Sequence, residues 1–228
     1  MNAPQTRRLY GRSRGHKLRD AQAQLIESYL PTISVPIDQP ELDPFTLFDD
    51  VDEVWLEVGF GSGEHLLEQA KMNPRVGVIG VEPFLNGVAS LIADIKRGDV
   101  PNIRVLMGDA RDVLDVLKPG CLAKAFLLFP DPWPKKRHHK RRFVNPDNLD
   151  QLAQVMGPGG EFRVATDIDD YCAWTLAHIS RHPDFAWTAE SPEDWRIRKD
   201  DWPGTRYEAK ARAAGRSCVY LRFQRAAA

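Results

Sequence analysis

Several features are scarce in this chain, and each scarcity removes a class of function. Its 228 residues hold three cysteines, Cys121, Cys172 and Cys218, far apart and with no Cys-x-x-Cys pair. That spacing argues against a disulfide framework and a cysteine zinc site, and fits a reducing cytosol. No apolar run approaches the roughly 18 residues needed to span a bilayer. The N-terminus is basic but has no apolar segment behind it, so it does not read as a secretory signal. There is no internal repeat and no Gly-Lys-[Ser/Thr] for a nucleoside triphosphate. Net charge is also lacking, at -1 overall. The expectation is a cytoplasmic protein away from membranes, long enough to bury one good core with appendages.

What charge there is lies in blocks. Residues 1–20 carry six Lys or Arg against one acid, Asp20, and residues 135–142 carry six more with no acid. Asymmetry of this kind marks a polyanionic partner more than a fold. The second block follows an apolar run, Ala125 to Phe129, and a proline-stiffened turn holding one carboxylate: Pro130-Asp131-Pro132-Trp133-Pro134. A fixed carboxylate beside concentrated positive charge suggests chemistry on a polyanion.

The organisation reads as a basic flexible arm over 1–16, a helix over 17–30 with a proline-rich linker to residue 50, and one domain over 51–228. In that domain short apolar runs at 54–58, 76–81, 103–107, 125–129 and 161–165 alternate with helical stretches. Asn145-Pro146 has the form of a helix start, cap then proline. Two late runs, 185–189 and 217–224, suit antiparallel pairing at one edge. The pattern predicts an α/β fold: a mostly parallel sheet, helices on both faces, and an antiparallel edge. Ligands in such sheets bind outside the carboxyl ends of the strands, where Glu57, Glu82, Asp109, Asp131 and Asp167 fall.

The first strand ends in Gly59-Phe60-Gly61-Ser62-Gly63. Alternate glycines let backbone pass close to a ligand. The dinucleotide fingerprint needs glycine or alanine where this chain has Glu64, and a carboxylate there would repel a pyrophosphate. Glu82 lies about 20 residues beyond, where an acid accepts from ribose hydroxyls. Asp109-Ala110 can face an adenine edge, and Glu57 with the glycine turn can face a cationic amino-acid tail. The set suits S-adenosylmethionine, a cation with a ribose and no phosphate.

These residues resemble the bacterial tRNA (guanine-N7)-methyltransferases. The resemblance rests on Glu57 to Glu64, Gly80-Val-Glu82, Gly108-Asp109-Ala110, Phe129 to His138, Ala165-Thr166-Asp167 and Thr205-Arg206-Tyr207-Glu208, and continues into the Arg12 to Leu18 arm. It implies a Rossmann-like methyltransferase that uses S-adenosylmethionine to methylate N7 of a guanosine in the variable loop of tRNA. It also implies roles by position: Glu57, Glu82, Asp109 and Asp131 on the donor, and Lys135, Asp167 and Thr205 to Glu208 on the RNA side. Asp131 is the expected catalytic group. Lys136, Arg137, Lys140, Arg141 and Arg142 are expected on the RNA backbone. The family commonly has a histidine two positions after the strand-end acid, where this chain has Phe84. A methyltransferase acting on another RNA or on a small molecule is the alternative. No metal, membrane or obligate protein partner is indicated.

Other readings stand beside these. Thr205-x-x-Glu208 is also a capping box, Thr accepting and Glu reaching back. Asp167 can cap the helix after it. Trp133 can stack on a base or lock the turn, while Trp55 and Trp174 read as core. His178 and His182 have i, i+4 spacing, but Ile179 stands where a zinc protease needs Glu, so they read as a surface pair.

Overall fold

The structure, a computed structural model, describes residues 15–227; most of the basic arm therefore lies outside the described residues. Five parallel strands, β1 (Glu53–Val58), β2 (Val76–Val81), β3 (Ile103–Leu106), β4 (Leu122–Leu128) and β5 (Met156–Thr166), form the body of the sheet. β6 (Phe185–Trp187) and β7 (Val219–Arg225) complete it, with β7 antiparallel to both β5 and β6. The strand order is β3-β2-β1-β4-β5-β7-β6. This is the expected mostly parallel sheet with an antiparallel edge.

The near-continuous apolar runs of β1, β2 and β4 are those of strands covered on both faces. Along β1, Val54 and Leu56 enter one apolar cluster and Trp55 the other, so successive side chains feed opposite layers. Helices α1 (Asp20–Ser28), α2 (Glu64–Met72) and α3 (Leu85–Gly98) cover one face. Helices α4 (Ala110–Leu114), α5 (Pro146–Val155) and α6 (Asp169–Ile179) cover the other. Two short helices, α7 (Glu193–Arg196) and α8 (Arg206–Ala213), precede β7. α5 starts as its sequence predicts: Asn145 caps it by accepting from the Asn148 N–H at 3.1 Å, and Pro146 occupies the first turn.

Three differences from the sequence reading have local causes. The first helix is shorter than 17–30: it starts at Asp20, after Arg19 in extended geometry, and stops at Ser28, because Pro31 disfavours α geometry at the residue before it and a 3-10 turn over Leu30–Ile33 follows instead. Residues 31–50 are no free linker. They pack on the sheet, Val35 N–H donating to the Val105 carbonyl at 3.1 Å and Leu42 to that of Val116 at 2.6 Å. The strand after α5 starts at Met156 and runs through the glycines, with an irregular register against β4 between Leu122 and Lys124.

Order reverses between β1 and β4, which both pair with chain elements running outward from that seam. The carboxyl ends of adjacent strands diverge there into helices on opposite faces, opening a crevice.

Candidate functional site

A cleft of about 460 Å³ opens over that seam, lined by Val58, Gly59, Glu82, Asp131, Trp133 and Tyr207 among others. A smaller recess of about 160 Å³ continues it past Gly59 and Pro83 to Gly108, Asp109 and Ala110. Four successive strand ends therefore border one continuous groove.

The floor is the glycine turn. Gly59, Gly61 and Gly63 all have positive φ, at 72°, 61° and 83°, a region where side chains are strained. The turn is packed from both sides. A Cβ on Gly87, in the first turn of α3, would lie 2.0 Å from the Gly61 carbonyl oxygen, and one on Gly61 would lie 3.0 Å from the Tyr207 ring. Glu64 does stand in the first turn of α2, where a pyrophosphate would sit, and it pairs with Arg206 at 3.5 Å.

The strand-end acids are held in different ways. Glu57 is buried and shares a 2.7 Å hydrogen bond with His65 Nδ1. Glu82 is buried as well, one oxygen accepting from Gly61 N–H at 2.7 Å and the other from Phe84 N–H at 2.9 Å. Burial raises the Glu82 carboxyl above its usual range, partly offset by those two bonds, and the negative charges of Asp131 and Glu57 push the same way as burial. Asp109 caps α4 through the Arg111 N–H at 3.0 Å and also receives the Arg111 guanidinium. Asp167 does not cap α6; it pairs with Arg216.

Asp131 differs from all of these. It makes no hydrogen bond or ion pair with any described residue. It is exposed at the mouth of the cleft, yet the cleft wall strips enough water from it to raise its carboxyl above the ordinary range. The turn carrying it is bracketed by two non-glycine residues in the left-handed region, Phe129 at φ 49° and Trp133 at φ 43°. Trp133 locks the turn rather than standing free: the Arg141 guanidinium lies 4.7 Å over its ring and His138 meets its edge at 5.9 Å.

The basic block wraps into a 3-10 segment, Lys136–Arg141, beside this turn. Lys135, Lys136, Arg137 and Lys140 face outward and are exposed. Arg141 turns inward to line the cleft. Arg142 corrects the sequence reading: its side chain is wholly buried and paired with Asp170, so it cannot reach an RNA phosphate.

Thr205 accepts from the Glu208 N–H at 3.0 Å, which is half of the capping box. The other half is absent. The buried Glu208 carboxylate instead accepts from Tyr220 Oη at 2.8 Å and Arg212 Nε at 2.9 Å. Its neighbours Arg206 and Tyr207 do reach the cleft. The histidine pair is not purely a surface feature either: His182 is buried and bonds Asp150 at 3.0 Å, while His178 bonds the Trp174 carbonyl. Trp55 is core as expected, whereas Trp174 is only partly buried. Among the described residues no cluster of His, Cys, Asp and Glu could hold a metal ion.

The cleft has a second wall that the local sequence does not mark. Pro83, Phe84, Phe129 and Phe143 line it, and nothing in their local pattern separates them from core. Asn86 was equally silent: its side chain accepts from Gly15 N–H and donates to the His16 carbonyl, both at 2.7 Å, so the end of the arm is pinned beside the cleft.

The groove's chemistry fits the ligand inferred from sequence. Glu82, Asp109 and Asp131 border it together with the backbone of Gly59 and Gly61, Glu64 opens α2 beside it, and Glu57 lies buried beneath the turn rather than among the lining residues. Residues 52–221 match a protein family described as "Putative methyltransferase". The chain is 48% identical over 223 residues to a protein of Rhodospirillum rubrum named tRNA (guanine-N(7)-)-methyltransferase, covering 96% of this chain and 88% of that one. It is 50% identical over 218 residues to one of the same name from Azorhizobium caulinodans, covering 95% and 94%. Two solved structures share the fold at low identity. The 16S rRNA (adenine(1408)-N(1))-methyltransferase from Catenulisporales acidiphilia has a TM-score of 0.52 at 14% identity, over 78% of this chain and 87% of that one. An rRNA methylase from Streptococcus thermophilus has a TM-score of 0.51 at 11% identity, over 78% and 89%.

Proposed function

This chain belongs to the tRNA (guanine-N7)-methyltransferase family, and on that premise we propose that it forms 7-methylguanosine in the variable loop of tRNA, with S-adenosylmethionine as methyl donor. The observation that carries this reading is the placement of Asp131. A carboxylate with no partner among the described residues stands at the mouth of the cleft, directly before an outward-facing row of cations.

The donor, when bound, supplies an electrophilic methyl group on a positively charged sulfur. Gly59, Gly61 and Glu57 would hold its amino-acid end, Glu82 its ribose, and Asp109 with Ala110 its adenine. Guanine N7 carries an in-plane lone pair and no proton, so the reaction requires no strong general base. It requires alignment, and positioning alone can contribute several kcal/mol. Positive charge develops on the purine as the bond forms, and a carboxylate fixed beside the base stabilises it. We assign that role to Asp131.

The substrate side follows from the charge layout. Lys135, Lys136, Arg137 and Lys140 would grip phosphates, which orient a nucleic acid without reading its sequence. Arg206 and Tyr207 at the cleft, with Thr205 behind them, would meet the presented nucleotide, since proteins reach unstacked RNA bases best. Asp167 and Glu208, each already paired within the chain, would shape that wall. Among the described residues no helix is long and apolar enough to cross a membrane, and a cytoplasmic place of work accords with a tRNA substrate.

Incubation with methyl-labelled donor and bulk tRNA, followed by nucleoside digestion, tests the reading. Label recovered in 7-methylguanosine is expected. Label in another nucleoside points to a different RNA position. No label in RNA despite donor binding overturns the assignment.

A further inference from the structure

The last residue of the basic block does something different from the rest. Arg142 has 0% side-chain exposure, whereas its partner Asp170 has 65%. Its guanidinium donates from Nε to the Pro132 carbonyl oxygen at 2.9 Å and from Nη2 to Asp170, in the first turn of α6. The same group lies 4.9 Å from the Trp174 ring and 5.4 Å from the Tyr171 ring.

The turn it grips is hard to hold by other means. Pro130, Pro132 and Pro134 have no N–H, so backbone donors are missing at every second position from 130 to 134. Carbonyl groups are the remaining backbone handles. The turn also begins and ends in left-handed geometry at Phe129 and Trp133, which persists only where surrounding structure enforces it. Three restraints do so. Phe129 N–H bonds the Ala165 carbonyl at 2.7 Å, Arg141 covers Trp133, and Arg142 fixes Pro132, the residue next to Asp131.

We propose that Arg142 is a positioning residue for Asp131: its guanidinium ties the proline turn to α6 and so fixes the carboxylate at the cleft mouth, without touching RNA. The inference rests on the catalytic role assigned to Asp131 above. Arginine suits the task because its planar fork donates from nitrogens set apart, reaching the Pro132 carbonyl and Asp170 at once beside two aromatic rings; a lysine ammonium has three donors but at a single point. The cationic run thus divides by depth. Its exposed members face the solvent, and its last member is a strut.

The test compares Arg142→Lys and Asp170→Asn with the wild type in single-turnover methylation and in tRNA binding over a range of salt. Arg142→Lys keeps the charge and loses the span of the planar fork. Its expected effect is a fall in kcat of about 100-fold, the scale of a displacement near 1 Å. KM for tRNA and the salt slope of binding stay at wild-type values. Asp170→Asn, a change at an exposed carboxylate that should not prevent folding, lowers kcat in the same direction by less. Partial unfolding would instead lower tRNA binding capacity and turnover together, which separates it from lost positioning. Unchanged kcat in Asp170→Asn, or in a folded Arg142→Lys, overturns the proposal. So does a salt slope reduced by about one, the mark of a lost phosphate contact. A wild-type enzyme that fails to make 7-methylguanosine overturns the function itself; a wild-type enzyme that makes it beside fully active variants overturns only the strut.

Discussion

Gly61 donates its backbone N–H to the Glu82 carboxylate at 2.7 Å, so the glycine turn after β1 is held by the acid that ends β2. One side chain thereby serves the fold and faces the donor cleft. Its burial has a cost that pH exposes. Glu82 has a raised carboxyl in the folded protein, so its contribution to stability is fully present below the unfolded value, about 4.3. That contribution is lost as pH rises through the raised folded value. In Glu82→Gln this component vanishes. The difference between wild-type and variant unfolding free energies, measured by denaturant titration from acid to neutral pH, should therefore slope across that window; parallel curves would refute it. Donor affinity should fall at least about 10-fold, because a hydrogen bond to a charged group is worth roughly 1.5–3 kcal/mol.

Beneath the same turn, Glu57 and His65 are both nearly inaccessible and share their 2.7 Å bond. His65 Nε2 lies 3.3 Å from Gln69 Nε2, which in turn donates to the Asp201 carbonyl at 2.9 Å. With the Gln69 amide as donor, His65 accepts at Nε2 and donates at Nδ1, an assignment made from the network. Replacing His65 by Ala leaves a buried carboxylate without its partner. Leaving a buried charged acceptor unsatisfied costs about 3 kcal/mol, and for a domain of this size lowers Tm by roughly 6–12 °C. A Tm within about 2 °C of wild type would mean that water replaces the imidazole.

Asp131 should set the acid limb of activity. Its carboxyl is raised because the cleft wall excludes water from it, so kcat/KM should fall as pH drops through a value above the ordinary aspartate figure of about 3.9. Arg141, Arg206 and Tyr207 line the same cleft, and the other carboxylates near it are Glu82, which feels the Asp131 charge, Glu57 beneath the turn and Asp109 in the adjoining recess. Glu82→Gln should keep the limb, whereas Asp131→Asn should abolish it and run about 100-fold slower throughout. Asp131→Ala should nearly abolish turnover while donor binding weakens but stays measurable. Undiminished turnover in either Asp131 variant would remove the residue from the chemistry.

The parallel strands and the acids at their ends were legible because both depend on local sequence. Apolar runs such as Val76 to Val81 need no partner to be recognised, and a charged residue closing such a run is conspicuous. The direction of a side chain within a charged run was not legible. Lys140, Arg141 and Arg142 are adjacent and chemically alike, yet they face solvent, the cleft and the core respectively. What separates them is the 3-10 geometry of the segment and the aromatic residues Trp133, Tyr171 and Trp174 brought to it by distant parts of the chain. The pairing of Glu208 with Tyr220 and Arg212 was hidden likewise, because β7 folds back beside β5 only in three dimensions.

That division by depth makes the salt dependence of tRNA binding a residue-level measurement. Each phosphate neutralised by Lys or Arg releases condensed counterions, so the slope of log affinity against log salt counts such contacts. Lys136, Arg137 and Lys140 are exposed, and each change to Ala should weaken binding by a similar factor for every tRNA tested and lower the slope by about one. Their effect on single-turnover methylation at saturating tRNA should be small, since positioning through phosphates acts before the chemical step. Arg141 should behave as a mixed case. Its guanidinium covers Trp133 and lines the cleft, so Arg141→Ala should slow turnover even when tRNA is saturating. If the three exposed variants leave the slope unchanged, the RNA backbone runs elsewhere, and the exposed Lys17 and Arg19, which follow the Gly15 and His16 contacts to Asn86, become the next surface to test.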